Sequence, residues 1–69
     1  MNFAIVGATG NVGRKTIDIL EKSKLKINNL FLVASKKSAG KKISFKSKII
    51  TIESLENYDF SRANITFFA

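Results

Sequence analysis

Apolar residues fall along this chain in short blocks, and their spacing changes from stretch to stretch. Phe3-Ala-Ile-Val6 is apolar throughout, which predicts a short strand covered on both faces. From Gly10 to Lys22 the spacing turns helical. At about 100° per residue, Val12, Thr16, Ile17, Ile19 and Leu20 share an arc of roughly 160°. Arg14, Lys15, Asp18, Glu21 and Lys22 lie opposite, so the helix should pack one face on a sheet. Ser23–Asn29 is a polar connection from which Leu25 and Ile27 are expected to tuck back onto the core. Leu30-Phe-Leu-Val-Ala34 is the clearest strand, five apolar residues in a row, and reads as a central parallel strand. Beyond it the pattern weakens. Lys42–Ile52 reads as short extended pieces, Ile43 and Phe45 alternating with Ser44 and Lys46, with a turn near Ser47 before Lys48-Ile-Ile-Thr-Ile52. Ser54–Phe60 should include one helical turn, anchored by Leu55, Tyr58 and Phe60. Ile65–Ala69 should be a further buried parallel strand.

Between the first strand and the helix stand Gly7, Gly10 and Gly13, three apart. Glycines there let the chain turn tightly and approach a ligand, while the helix N-terminus presents unpaired N–H groups suited to a pyrophosphate. The spacing is looser than G-x-G-x-x-G, so it serves either a dinucleotide site or a purely structural βα turn; the strand–turn–helix context favours the site. Thr9 fits both roles, as a helix-capping hydroxyl or a donor to a phosphate oxygen. Gly13 falls early in the helix on its sheet-facing side, where close helix–strand contact is the simplest reason for a residue that costs helix propensity. Gly7 to Ser35 is the right length for one βαβ unit with a right-handed crossover. The expected fold is therefore α/β, a partial Rossmann-type NAD(P)-binding fold with a mostly parallel sheet.

The chain has 69 residues, and a doubly wound nucleotide-binding domain usually needs about twice that length. Residues 1–69 are accordingly expected to be the N-terminal part of such a domain, incomplete at the C-terminus, with a catalytic and dimerisation domain absent. No cysteine or histidine occurs, which disfavours a tetrahedral zinc site; no metal ligands are expected. Nothing resembles a signal peptide or a membrane span, so the expectation is a soluble cytoplasmic protein. The formal net charge of +7 raises nucleic-acid binding. Its distribution argues against that reading: ten of the twelve basic residues are lysines, and Arg14 and Arg62 are the only arginines. Arginine reads guanine edges best, and only Phe45 interleaves the lysine cluster.

That cluster sharpens the ligand. A site for a free ribose 2′-hydroxyl usually carries Asp or Glu near the end of the second strand. Here the chain reads Ala34-Ser-Lys-Lys-Ser-Ala-Gly-Lys41, without a carboxylate. Lysines and serines suit a 2′-phosphate through charge-assisted hydrogen bonds, pointing to NADP rather than NAD, unless the loop is simply lysine-solvated.

Phe3-Ala-Ile-Val-Gly-Ala-Thr-Gly-Asn-Val-Gly-Arg14, Ile19-Leu-Glu21 and Leu32-Val-Ala-Ser-Lys-Lys-Ser-Ala-Gly-Lys-Lys-Ile43 together resemble the N-terminus of the aspartate-semialdehyde dehydrogenases. The likeness continues through Ile50-Thr-Ile-Glu-Ser-Leu55 and Asp59-Phe60, and covers the whole chain but only the first part of such an enzyme. The glycine motif alone would also suit N-acetyl-gamma-glutamyl-phosphate reductase; the stretch from Ala34 to Lys41 separates the two. The resemblance implies that Gly7, Thr9, Gly10, Asn11, Val12 and Gly13 surround the pyrophosphate, with amides from Gly10 to Val12. It implies that Ser35, Lys37 and Ser38 hold the 2′-phosphate of NADP, Lys37 standing where the family commonly has arginine. It implies, for the longer enzyme, NADPH-dependent reduction of aspartyl phosphate to aspartate semialdehyde with release of phosphate, in a homodimer or homotetramer. That chemistry uses a cysteine nucleophile and a histidine acid/base. This chain has neither, so no catalytic residue is assigned.

Overall fold

The computed structural model describes every residue, Met1–Ala69. Strand β1 (Asn2–Val6) leads through the glycine turn into helix α1 (Asn11–Lys22), and β2 (Asn29–Ala34) follows. A hairpin of β3 (Lys42–Phe45) and β4 (Lys48–Thr51) comes next, then β5 (Glu53–Ser54), a 3-10 turn at Phe60–Arg62, and β6 (Ile65–Phe68). The main sheet has the order β5-β2-β1-β6, every pair parallel. The chain thus steps outward from β1 to β2 to β5, then returns to the other side of β1. That reversal makes a crevice at the carboxyl ends of β1 and β6, where open α/β sheets place their ligands.

Parallel pairing buries β1 and β2 on both faces. On one face Ile5, Leu30, Leu32 and Ala34 pack against Ile17 and Leu20 of α1 and against Phe45 and Ile52 from the hairpin segment. On the other, Ala4 and Val33 are covered by Tyr58, with Val6, Phe31 and Ala63 around them. The Tyr58 ring lies 6.0 Å from that of Phe31 and meets Phe60 edge-on at 5.0 Å. The Arg62 guanidinium sits 4.3 Å from the centre of the Phe31 ring and 2.8 Å from the Glu53 carboxylate, tying the second face to β5. Burial pushes the Tyr58 phenol up, with the Arg62 charge opposing, and its hydroxyl has no protein partner.

Several expectations are corrected by this packing. The face of α1 that is buried is narrower than the apolar arc, because Gly13, Ile17 and Leu20 alone meet the sheet. Val12 and Ile19 are both 60% exposed, on the flank nearest β6, where no second helix packs beside α1. Leu25, expected to tuck in, is exposed, while Ile27 is half-buried. Of the three anchors named after β5, Tyr58 is buried whereas Leu55 and Phe60 are exposed. The helical turn comes later than Ser54–Phe60, at Phe60–Arg62, because Asp59 supplies its cap. Strand β6 is an outer strand rather than a buried one: Ile65, Phe67 and Phe68 are exposed.

The β3–β4 turn is unusual in its residues. Lys46 and Ser47 both have positive φ, 46° and 68°, the backbone that two-residue hairpin loops normally give to Asn-Gly. The tip is held by α1: the Lys46 N–H donates to Glu21 Oε2 at 2.8 Å and Lys46 Nζ donates to the Ser23 carbonyl at 3.3 Å. Replacing Ser47 with Gly removes the left-handed penalty and should stabilise the chain by about 1 kcal/mol, read as a raised urea midpoint.

Asp59 gives a pH test. Its carboxylate accepts from the Ser61 hydroxyl at 2.7 Å and the Ser61 N–H at 2.9 Å, and these bonds hold its pKa below the ordinary 3.8. A depressed carboxyl contributes stability above its unfolded pKa and loses it as pH falls through the folded one. The stability gap between the native chain and Asp59→Asn should therefore be constant near neutrality and close in acid below pH 3.8, followed by urea melts across pH.

Candidate functional site

The site begins where β1 ends. Gly7 has φ +85°, a backbone that only glycine takes without strain. Its N–H and that of Ala8 both donate to the Val33 carbonyl of β2, at 2.8 and 3.2 Å, so the turn is sewn to the neighbouring strand. Gly13 then lets α1 drop onto this turn. A methyl group at Gly13 would overlap the Gly7 carbonyl and stand 2.8 Å from Ala8 Cα. The close contact expected for Gly13 is therefore with the turn itself.

Gly10 differs. Its φ is −76°, and a methyl group there would meet only the Gly7 oxygen, at an ordinary 3.5 Å. Neither backbone strain nor packing within the chain asks for glycine at Gly10; it leaves open space above the helix N-terminus. That terminus carries no side-chain cap and no acid in its first turn. The Gly10 N–H is already given to the Gly7 carbonyl at 3.1 Å, and the Arg14 N–H is the first to bond back, to the Gly10 carbonyl at 2.9 Å. The free helix amides are therefore those of Asn11, Val12 and Gly13, shifted by one from the expected Gly10–Val12 set. Three unpaired donors at the positive end of a twelve-residue helix attract anionic oxygen.

The loop after β2 closes the other side. Ser35–Gly40 coils tightly, the Ser35 carbonyl accepting from Ser38 at 2.9 Å and Ala39 at 3.1 Å, and Gly40 turns out with φ +91°. This coil brings the Ser38 hydroxyl to 3.4 Å from that of Thr9, joining the glycine turn to the lysine loop. Ser35 and Lys37 lie exposed in the same coil, their side chains making no hydrogen bond or ion pair within the chain. Ala69 completes the rim: its N–H bonds to the Val6 carbonyl at 2.9 Å, and its carbonyl would stand 3.3 Å from a methyl group on Gly7.

The resulting arrangement is a glycine turn at the sheet's switch point, an uncapped helix and an acid-free lysine loop. It can bind an extended, multiply charged anion. The domain profile described as "Semialdehyde dehydrogenase, NAD binding domain" matches residues 2–69. The chain belongs to this semialdehyde dehydrogenase family. Among the family's curated relatives, an aspartate-semialdehyde dehydrogenase of Rickettsia bellii is 47% identical over 68 residues, covering 99% of this chain and 20% of the relative. A protein of Azotobacter vinelandii named "USG-1 protein homolog" is 44% identical over 69 residues, again 20% of its length. The solved structure of aspartate semialdehyde dehydrogenase II from Vibrio cholerae, complexed with ASA, superposes with a TM-score of 0.95 at 37% identity, over 99% of this chain and 22% of that one. The chain thus spans about a fifth of the length of the curated relatives it matches. The α/β fold with its parallel sheet is that of the semialdehyde dehydrogenase NAD-binding domain, and no helix in it is long and apolar enough to cross a membrane.

Gly13 and Gly10 separate folding from binding. Gly13→Ala should cost about 1–3 kcal/mol through overpacking, whereas Gly10→Ala should leave the unfolding midpoint within about 0.5 kcal/mol, measured by chemical denaturation.

Proposed function

We propose that this chain is the NADP-binding portion of an aspartate-semialdehyde dehydrogenase. In this reading the pyrophosphate lies over Gly7–Gly13, held by the Asn11, Val12 and Gly13 amides and the Thr9 hydroxyl. The 2′-phosphate lies against Ser35, Lys37 and Ser38. The observation that carries the reading is the Thr9–Ser38 contact, 3.4 Å between hydroxyls, which makes the helix N-terminus and the lysine loop one continuous anion-binding wall. Within that wall Gly10 leaves unfilled space for a ligand, and no carboxylate between Glu21 and Glu53 opposes a phosphate.

When bound, NADPH supplies the hydride for reducing an activated acyl group, here that of aspartyl phosphate, to the semialdehyde. The residues of this chain bind and orient. The Gly7 turn fixes the entry of α1, Lys37 and Ser35 add charge and hydrogen bonds at the adenosine end, and Ala69 lines the crevice toward the reacting end. With no cysteine or histidine, these residues supply neither the nucleophile nor its proton carrier. In this reading those roles fall to the part of such an enzyme beyond the fifth that this chain matches.

Cofactor titration by intrinsic fluorescence or calorimetry tests the site. Lys37→Ala should weaken NADP about tenfold and NAD little, because only NADP has the 2′-phosphate to lose. Gly10→Val should weaken both alike. Equal losses of NADP and NAD on Lys37→Ala would refute the 2′-phosphate assignment.

A further inference from the structure

Two hydroxyls meet where the glycine turn touches the lysine loop. Thr9 Oγ1 and Ser38 Oγ lie 3.4 Å apart, both half-buried, and either can be the donor. Neither side chain makes another hydrogen bond within the chain. Their backbones are fixed. On either side of Thr9, Ala8 and Gly10 donate to the Val33 and Gly7 carbonyls, at 3.2 and 3.1 Å. The Ser38 N–H donates to the Ser35 carbonyl at 2.9 Å, and the Ser38 carbonyl accepts from Lys41 at 3.3 Å. Farther along, the Gly40 N–H donates to the Ile52 carbonyl and the Ile52 N–H to the Lys41 carbonyl, each at 2.8 Å, so the loop is tied down at its far end too. What stays free is the rotation of the two hydroxyls.

Two hydroxyls bring two protons, and only one proton can lie between the two oxygens. The other finds no acceptor in the chain. Elsewhere hydroxyl protons are committed: Thr16 donates to the Val12 carbonyl at 2.8 Å, Ser23 to the Leu20 carbonyl at 2.7 Å, and Ser61 to the Asp59 carboxylate at 2.7 Å. The Thr9–Ser38 pair instead has one proton over. That proton leaves at the Ser38 end when Thr9 is the donor, and at the Thr9 end when Ser38 is. At 3.4 Å the shared bond is long for O–H···O, so its direction is easily reversed.

We propose that Thr9 is a positioning residue that selects NADP through Ser38: its hydroxyl donates to Ser38 and so turns the Ser38 proton onto the 2′-phosphate. This role rests on the site reading above and refines it. Charge sets the direction. A phosphate monoester carries about −1.5 to −2 at neutral pH, which makes the 2′-phosphate the strongest acceptor within reach. The pyrophosphate groups are singly charged and have the free amides of Asn11, Val12 and Gly13 to bind them. A hydroxyl that accepts a hydrogen bond also donates a stronger one, so Thr9 strengthens the contact it does not itself make. Turning both protons outward, one to each phosphate, would leave two oxygens facing each other with no proton between them. With NAD, which lacks the 2′-phosphate, the pair runs the other way, from Ser38 to Thr9 to the pyrophosphate.

The test is calorimetric titration of the full chain with adenosine 2′-monophosphate, which has no pyrophosphate, and with ADP, which has no 2′-phosphate. Thr9→Val should weaken adenosine 2′-monophosphate about threefold, although Thr9 does not touch its phosphate, and Thr9→Ser should restore the native affinity. Thr9→Ala, which removes the same hydroxyl, should match Thr9→Val. In a Ser38→Ala background, Thr9→Val should cause no further loss, because the relay is already cut. For ADP the relay reverses, and Ser38→Ala should weaken binding about threefold through Thr9. A Thr9→Val variant that loses affinity for ADP alone, or losses that add in the double variant, would overturn the relay. The site reading would survive that result as long as Ser38→Ala and Lys37→Ala still weakened adenosine 2′-monophosphate. If neither of those substitutions weakened it, the 2′-phosphate assignment would fall and the relay with it.

Discussion

The Val33 carbonyl accepting two successive amides, Gly7 and Ala8, is the contact on which the rest of the molecule hangs. It turns the end of β1 back over β2 and fixes the Gly7 carbonyl in space. Gly13 can then pack against that carbonyl at a distance no side chain would allow. Once α1 is seated there, Ile17 and Leu20 follow onto Ile5, Leu30 and Leu32, and the first core forms. The uncapped amides of Asn11, Val12 and Gly13 are left pointing at the crevice because this seating, rather than a capping side chain, holds the helix end in place. Packing and site thus share one cause.

The second face is held differently. There the cover is a cluster of rings, Phe31, Tyr58 and Phe60, with Phe60 stacked on Phe68 at 6.0 Å and 18° between planes. Arg62 lies over two of these rings and bonds Glu53, so one cation joins the loop before β6 to the short strand β5. Two such different faces on one thin sheet explain why the larger core lies on the α1 side.

Much of this was readable in the residue pattern. The runs Phe3–Val6 and Leu30–Ala34 were legible as strands because burial on both faces leaves no polar positions to blur them. The glycine turn was legible because Gly7 and Gly13 each answer a local demand, one of φ and one of space. Val12, Ile19, Leu55 and Phe60 were misplaced because hydrophobicity records what prefers to be buried, not which neighbour is present to bury it. The one-residue shift of the free amides was invisible, since a Gly10 N–H bonded to Gly7 depends on turn geometry that many sequences adopt. The Thr9–Ser38 contact was equally hidden: it joins residues 29 apart, and only the crossover of α1 brings them together.

Strand β1, at the middle of the sheet, is assembled from distant parts of the chain. One edge takes residues 29–33, the other residues 65–68, with Asn2 and Asn64 bonded at 2.7 Å across 62 positions. The β3–β4 hairpin and α1 close small loops and order early; the second edge of β1 closes a large one and must wait. During synthesis, then, the central strand spends the longest time half-paired, exposing an apolar edge until its last partner arrives. The chain's vulnerability to misassembly is therefore greatest in that interval and falls once Ile65–Phe68 has docked.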